Sequence, residues 1–117
     1  MSATLLFLSA ALLGADIEFP KVLDERLQLK LVAAEPEVRT PTGIAVDDKG
    51  RVLVVESHTH FRPQGYQGPP ADRILLLEDF DPTTGKARKI STFFEGTTHT
   101  MNLQFAADGS LLSLIHI

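Results

Sequence analysis

The sequence of 117 residues is long enough for one domain, and it contains neither cysteine nor tryptophan. The absence of cysteine excludes disulfide bonds, thiolate metal sites and haem attachment within these residues. The formal net charge is −4 and the basic residues form no cluster, so the sequence predicts that nucleic acid is not a partner.

The first fifteen residues differ in composition from the rest of the chain. Residues 3–13 form an apolar run of the size found in signal peptides, and the small residues Gly14 and Ala15 follow it. The run is shorter than the roughly 20 residues that a membrane-spanning helix needs. We therefore expect residues 1–15 to be a signal peptide and the protein to be exported, to the periplasm or cell surface, although no basic residue precedes the run. The alternative is a buried N-terminal helix.

Short apolar runs separated by turn residues predict an all-β domain over residues 16–112. An alternating pattern predicts a strand over residues 27–33, which a proline-containing loop follows. Further strands are predicted at residues 43–46, 51–56, 73–78, 89–94 and 102–105. A long polar loop, residues 57–72, interrupts this series and carries two histidines, an arginine and a tyrosine. Such loops often present functional residues.

Residues 102–112 repeat the pattern of residues 43–53 at an offset of 59 residues. Gly109 takes the place of Gly50, and Leu111 takes the place of Val52. Each copy reads as strand, glycine turn and strand, and the repeating unit holds four predicted strands. This pattern is typical of β-propellers, and the continuous apolar runs at 52–55 and 74–77 fit strands covered on both faces. The alternative is a β-sandwich.

Three stretches of the sequence carry a resemblance to a known family. They are Leu31–Pro36, Pro41–Pro69 and Gly96–Leu111, and the most specific parts read E-S-H-T-H-F-R-P and T-H-T-M. They resemble the N-terminal propeller of the membrane-bound dehydrogenase family of planctomycete-type bacteria, which includes haem-binding CxxCH proteins. That family is more distantly similar to soluble quinoprotein glucose/sorbosone dehydrogenases.

The resemblance implies a six-bladed β-propeller, of which residues 16–112 would form the first one to two blades. It implies export, a sugar or alcohol substrate, pyrroloquinoline quinone with calcium as cofactors, and a haem c domain beyond this sequence. It also implies that any membrane association would come from such further regions. The tail Ser113–Ile117 does not continue the predicted blade. We expect it to be a non-native read-through at the end of a truncated reading frame.

Glu56, His58 and His60 form the first candidate site, because they are spaced two residues apart. If the preceding strand continues through them, all three side chains point to one side and could bind a divalent metal. A histidine there could also act as a general base. The alternative is that His58 and His60 only orient the loop through hydrogen bonds.

Strand alternation in a propeller places the loop 57–72 and the loop around His99 at the same edge. By resemblance to quinoprotein dehydrogenases, His58 and His99 are predicted to be catalytic. Arg62 is predicted to bind the acidic cofactor through its guanidinium, or else to brace the loop with an ion pair. Tyr66 is predicted to stack on a cofactor ring, or else to pack within the loop.

Three classes of function remain open from the sequence. The first is an exported dehydrogenase that oxidises a sugar or alcohol and passes electrons to a haem domain. The second is a non-catalytic propeller that binds glycans or partner proteins. The third is a gluconolactonase-like hydrolase with one divalent ion in the propeller channel.

Overall fold

The computed structural model describes residues 18–115, which form an all-β structure of six strands without a helix. Over this range, no helix is therefore long and apolar enough to cross a membrane. The predicted signal peptide, residues 1–15, lies outside the described residues, as do the last two residues of the predicted tail.

The first sheet contains four antiparallel strands in sequence order. These are β1 (Pro41–Val46), β2 (Val52–Glu56), β3 (Asp72–Phe80) and β4 (Ala87–Thr97). Their positions confirm the predicted strands at 43–46, 51–56, 73–78 and 89–94, with β1, β3 and β4 longer than predicted and β2 one residue shorter. The central strand β2 pairs Val54 with Ile44 on one side and with Leu75 on the other.

The second sheet is a hairpin of β5 (Thr100–Phe105) and β6 (Leu111–Ile115). It has the same turn as the β1–β2 hairpin. Gly50, at φ 76°, donates its N–H to the Asp47 carbonyl, and Gly109, at φ 87°, donates to the Ala106 carbonyl in the same way. These left-handed turn positions favour glycine. The repeat at an offset of 59 residues is thus confirmed as a pair of matching hairpins.

The predicted strand at residues 27–33 is wrong, because this segment is irregular. Its leucines remain exposed, as Leu27 at 67% and Leu29 at 47% show. A strand needs a ladder of hydrogen bonds to a neighbour. The segment makes one observed backbone bond to the sheet, from the Ala87 N–H to the Val32 carbonyl at 2.9 Å. The segment therefore packs on the sheet through Val32 and Ala33 and does not pair to it as a strand.

The core lies on both faces of the four-stranded sheet, with β2 buried between two layers. On one face, Leu53, Val55 and Ile74 pack against Leu103 of β5. On the other face, the cluster of Val54, Leu75, Leu77 and Ala87 is covered by the irregular segment at residues 32–38. The continuous apolar runs in β2 and β3 are explained by this double coverage, as predicted.

Candidate functional site

The loop between β2 and β3 is fixed by the buried carboxylate of Asp72, the first residue of β3. Its Oδ1 accepts the backbone N–H groups of His58 (2.6 Å) and Thr59 (2.9 Å), and its Oδ2 accepts the N–H of Thr100 (2.8 Å). Burial raises the pKa of Asp72, but these hydrogen bonds outweigh it and hold the pKa below its ordinary value. One ionised side chain thus joins the loop to the start of β5.

A second buried carboxylate belongs to Glu56, at the end of β2. The side chain is fully buried, and its Oε1 accepts the backbone N–H of Arg39 at 2.7 Å. Its Oε2 accepts hydrogen bonds from the Arg73 guanidinium. Burial raises the pKa of Glu56, but the neighbouring His58, Arg73 and the Arg39 N–H together lower it below the ordinary value. Glu56 is therefore a buried, ionised group at the base of the loop.

The imidazole of His58 lies between Glu56 and Tyr66. Its Nε2 is 3.0 Å from Glu56 Oε2 without the alignment of a hydrogen bond, and its Nδ1 is 2.5 Å from the Tyr66 hydroxyl. A carboxylate attracts the N–H of a neighbouring ring, which assigns the hydrogen to Nε2 and leaves Nδ1 as an acceptor. His58 is only 4% exposed. The result is a chain from a buried carboxylate through an imidazole to a phenol.

Tyr66 and His58 line a cleft of about 530 Å³ at this end of the sheet. Its walls come from three parts of the chain: the loop before β1, the loop after β2 and the start of β5. Arg39 and Phe61 are among its solvent-exposed residues. Thr40, at φ 44°, also lines the cleft, and a β-branched residue rarely adopts that backbone conformation. Strained residues of this kind are concentrated at functional sites.

His99 lies near the same loop, at the edge where it was expected. Its backbone N–H donates to Thr59 Oγ1 at 2.7 Å, and its ring meets the His60 ring edge-on with centroids 5.7 Å apart. His60 lines the cleft, whereas His99 is not among the lining residues. Like Thr40, His99 has a positive φ, of 50°. The structure therefore brings His99, His60 and His58 to one end of the sheet, and their predicted chemical roles stay predictions.

Arg62 makes contacts that fix the loop. Its Nε donates to the His58 carbonyl at 2.7 Å, and its Nη2 donates to the Pro70 carbonyl. Its guanidinium carbon lies 5.6 Å from the centroid of the Tyr66 ring. Arg62 is not among the residues that line the cleft. These contacts match a loop brace, built on backbone carbonyls instead of the ion pair that the sequence suggested.

The predicted metal site of Glu56, His58 and His60 is not formed in the structure. The strand ends at Glu56, so the alternation that would have aligned the three side chains does not continue into the loop. The oxygens of Glu56 already face the Arg73 guanidinium and the Arg39 N–H. Over residues 18–115, no group of three or more histidine or acidic side chains is arranged to hold a metal ion.

Sequence reasoning missed Asp72, Arg73 and Arg39, which contribute most to the geometry of the cleft. Asp72 and Arg73 stood at the edges of predicted elements, Arg39 lay within a predicted loop, and none of the three was assigned a role. One signal was available for Asp72. It stands between a long loop and the apolar run at 74–77, where an acidic residue next to a buried strand is itself expected to be buried. Nothing in the sequence spacing pairs Arg73 with Glu56, because their contact depends on the register of β2 and β3.

A family model described as a domain of unknown function, DUF7133, matches residues 21–115. The chain belongs to this family. The DUF7133 match spans all six strands and includes residues 113–115 of the predicted tail. No curated protein and no solved structure shows a significant match to the chain.

Proposed function

We propose that this DUF7133 domain forms part of the substrate cleft of an exported, propeller-type oxidoreductase that acts on a sugar or alcohol. The observation that carries the proposal is the chain of Glu56, His58 and Tyr66 at the cleft, with 3.0 Å and 2.5 Å between its contacting atoms. A buried carboxylate beside a histidine that contacts a hydroxyl is similar to arrangements that activate hydroxyl groups.

In this proposal the chain removes the proton from a substrate hydroxyl. The Tyr66 oxygen takes the proton as its own hydrogen passes to His58 Nδ1, so that the phenol stays neutral. The resulting imidazolium keeps its Nε2 hydrogen toward Glu56, whose ionised carboxylate balances the new charge. Burial of His58 strengthens this electrostatic balance, since little water screens it.

The cofactors implied by the sequence resemblance are not matched by the described residues. Pyrroloquinoline quinone carries several carboxylates, and calcium needs a cluster of oxygen ligands. Of the arginines, Arg39 alone is among the residues that line the cleft, while Arg62 binds carbonyl oxygens. No suitable ligand group for a metal occurs between residues 18 and 115. The proposal therefore assigns to this chain only the proton step and the binding of substrate.

The propeller part of the proposal is supported by the repeated hairpin and by the layered core. The β5–β6 hairpin packs its Leu103 on the face of the preceding four-stranded sheet, as successive blades of a propeller do. Export is proposed from the apolar run at residues 3–13. The third class, a metal hydrolase, has no such support and is not taken further.

A non-catalytic glycan-binding domain is the second candidate, and the exposure of Phe61 favours it. This ring lines the cleft and is 80% exposed. An exposed aromatic ring in a cleft is a surface on which a sugar ring can pack. In this case Glu56, His58 and Tyr66 would hold the shape of the cleft and carry out no proton transfer.

An activity assay on the full-length gene product separates the two candidates. The purified protein is tested with an electron-accepting dye and glucose, galactose, sorbitol or ethanol, with and without added pyrroloquinoline quinone and calcium. We expect dye reduction with at least one of these substrates. Binding of a sugar in calorimetry without dye reduction under any of these conditions would contradict the oxidoreductase and favour the binding domain.

A further inference from the structure

We infer that the cleft prefers an acidic sugar, whose carboxylate binds to Arg39. This inference rests on the proposed function, since it names the class of hydroxylated ligand that the same cleft binds. Arg39 lies on the cleft wall and is exposed. Within the described residues, its guanidinium makes no observed hydrogen bond or ion pair, unlike Arg62 and Arg73.

The position of Arg39 is fixed through its backbone. Its N–H donates to Glu56 Oε1 at 2.7 Å, and Glu56 is the carboxylate that also faces His58. The next residue, Thr40, has the strained φ of 44°, and its carbonyl accepts the N–H of Ser57 at 3.0 Å. The loop that carries Arg39 is thus tied to the end of β2. A guanidinium on a fixed backbone loses less freedom when it binds a ligand.

A carboxylate is the ligand group that suits this guanidinium best. Arginine binds carboxylates through two parallel N–H donors, and such charge-assisted bonds are stronger than those to neutral hydroxyls. The cleft also exposes Glu35, which disfavours an anion near it and can accept hydrogen bonds from sugar hydroxyls. The imidazoles of His58 and His60 and the phenol of Tyr66 are the other titratable groups that line it. The cleft therefore presents one cation, carried on a fixed backbone, and one acceptor on the same loop.

Phe61 provides the surface for the ring of the sugar. Its side chain is 80% exposed, and an apolar ring with that exposure contributes contact area to a ligand in the cleft. A cleft of about 530 Å³ has room for a sugar of one or two rings. The ligand class is thus a small sugar that carries a carboxylate, such as a uronic acid.

The test measures the binding of glucuronate and of glucose to the full-length protein by calorimetry. Glucuronate carries a carboxylate and glucose does not. We expect glucuronate to bind roughly tenfold or more tightly than glucose, because a charge-assisted hydrogen bond adds that much affinity. Arg39→Gln should lower the affinity for glucuronate to about that for glucose, so that the preference is lost. Glu35→Gln should retain or increase the affinity for glucuronate, and Phe61→Ala should weaken both sugars to a similar degree.

Arg26→Gln is the matched control, since it removes the same charge from an exposed arginine that does not line the cleft. It should bind both sugars as the wild type does. Equal affinity of the wild type for the two sugars, or an Arg39→Gln variant that keeps the preference, would overturn the inference and leave the proposed function standing. Failure of both sugars to bind would overturn the inference as well, and the dye assay would still decide the oxidoreductase independently.

Discussion

Asp72 is the residue through which the loop of the cleft is held to the rest of the structure. Its carboxylate is fully buried and accepts N–H groups from the loop and from β5. Because its pKa is lower in the folded state than in the unfolded chain, ionised Asp72 stabilises the fold above a pH of about 4. That contribution is lost as the pH falls through the folded-state pKa.

We predict that Asp72→Asn lowers the free energy of unfolding by about 1–3 kcal/mol. The amide can accept a hydrogen bond through its oxygen, but its NH2 group cannot accept the N–H of Thr100, which then stays buried without a partner. Urea unfolding at neutral pH measures this loss. Asp108→Asn is the control, since Asp108 is exposed in the second turn and its change should cost less than about 0.5 kcal/mol. Similar losses in both variants would contradict the role of Asp72.

At the scale of elements, the contact between the two sheets depends on the close approach of β1 and β5. A Cβ atom on Gly43 of β1 would lie 2.7 Å from the Cα of Asn102 in β5. The obstacle is backbone, which cannot move aside as a flexible side chain would. Thr42 beside it donates its hydroxyl to the Thr100 carbonyl at 2.9 Å. The hairpin therefore packs at a position that only glycine permits.

We predict that Gly43→Ala destabilises the protein by about 1–3 kcal/mol, because the added methyl group pushes β5 away from β1. The unfolding temperature of purified protein measures the effect. Ile44→Val is the control on the same strand, since its side chain is 63% exposed and loses one methylene. A Gly43→Ala variant with the same unfolding temperature as this control would show that the packing of the two sheets does not depend on this contact.

The hairpins could be predicted from sequence because their information is local. Gly50 and Gly109 mark the turns, and β-branched residues such as Val52 mark the strands beside them. The segment at residues 27–33 shows the limit of such patterns. Its alternation predicts a strand, but Leu27 and Leu29 stay exposed, because whether a strand forms depends on a partner distant in sequence.

The candidate site was predictable by region and less so by residue. The polar loop after β2 was expected to form it, and His58, His60 and Tyr66 do line the cleft. The predicted alignment of Glu56, His58 and His60 is not observed. It required the strand to continue through His60, whereas β2 ends at Glu56. The choice between Arg62 and Arg39 depends on which guanidinium is already bonded to carbonyl oxygens. That choice needs three-dimensional structure.

At the scale of the whole molecule, the four-stranded sheet, the hairpin and the two loops meet at one end to form the cleft. Each part of the Glu56, His58 and Tyr66 chain comes from a different setting: the end of β2, the buried start of the loop and a half-buried position within the loop. Asp72 accepts the backbone N–H of His58 and Arg62 donates to its carbonyl, so both residues fix the backbone of this arrangement. We propose that these three residues transfer a proton and do not serve only to hold the shape of the loop.

The Tyr66→Phe variant of the full-length protein tests this claim most directly. The substitution removes the hydroxyl that contacts His58 Nδ1 and keeps the aromatic ring of the loop. With the best substrate from the dye assay, we predict that kcat falls by about 10²-fold or more, as loss of an acid–base group does, while substrate binding and the circular dichroism spectrum are retained. A Tyr66→Phe enzyme with the kcat of the wild type would contradict the account and leave the chain as architecture of the cleft.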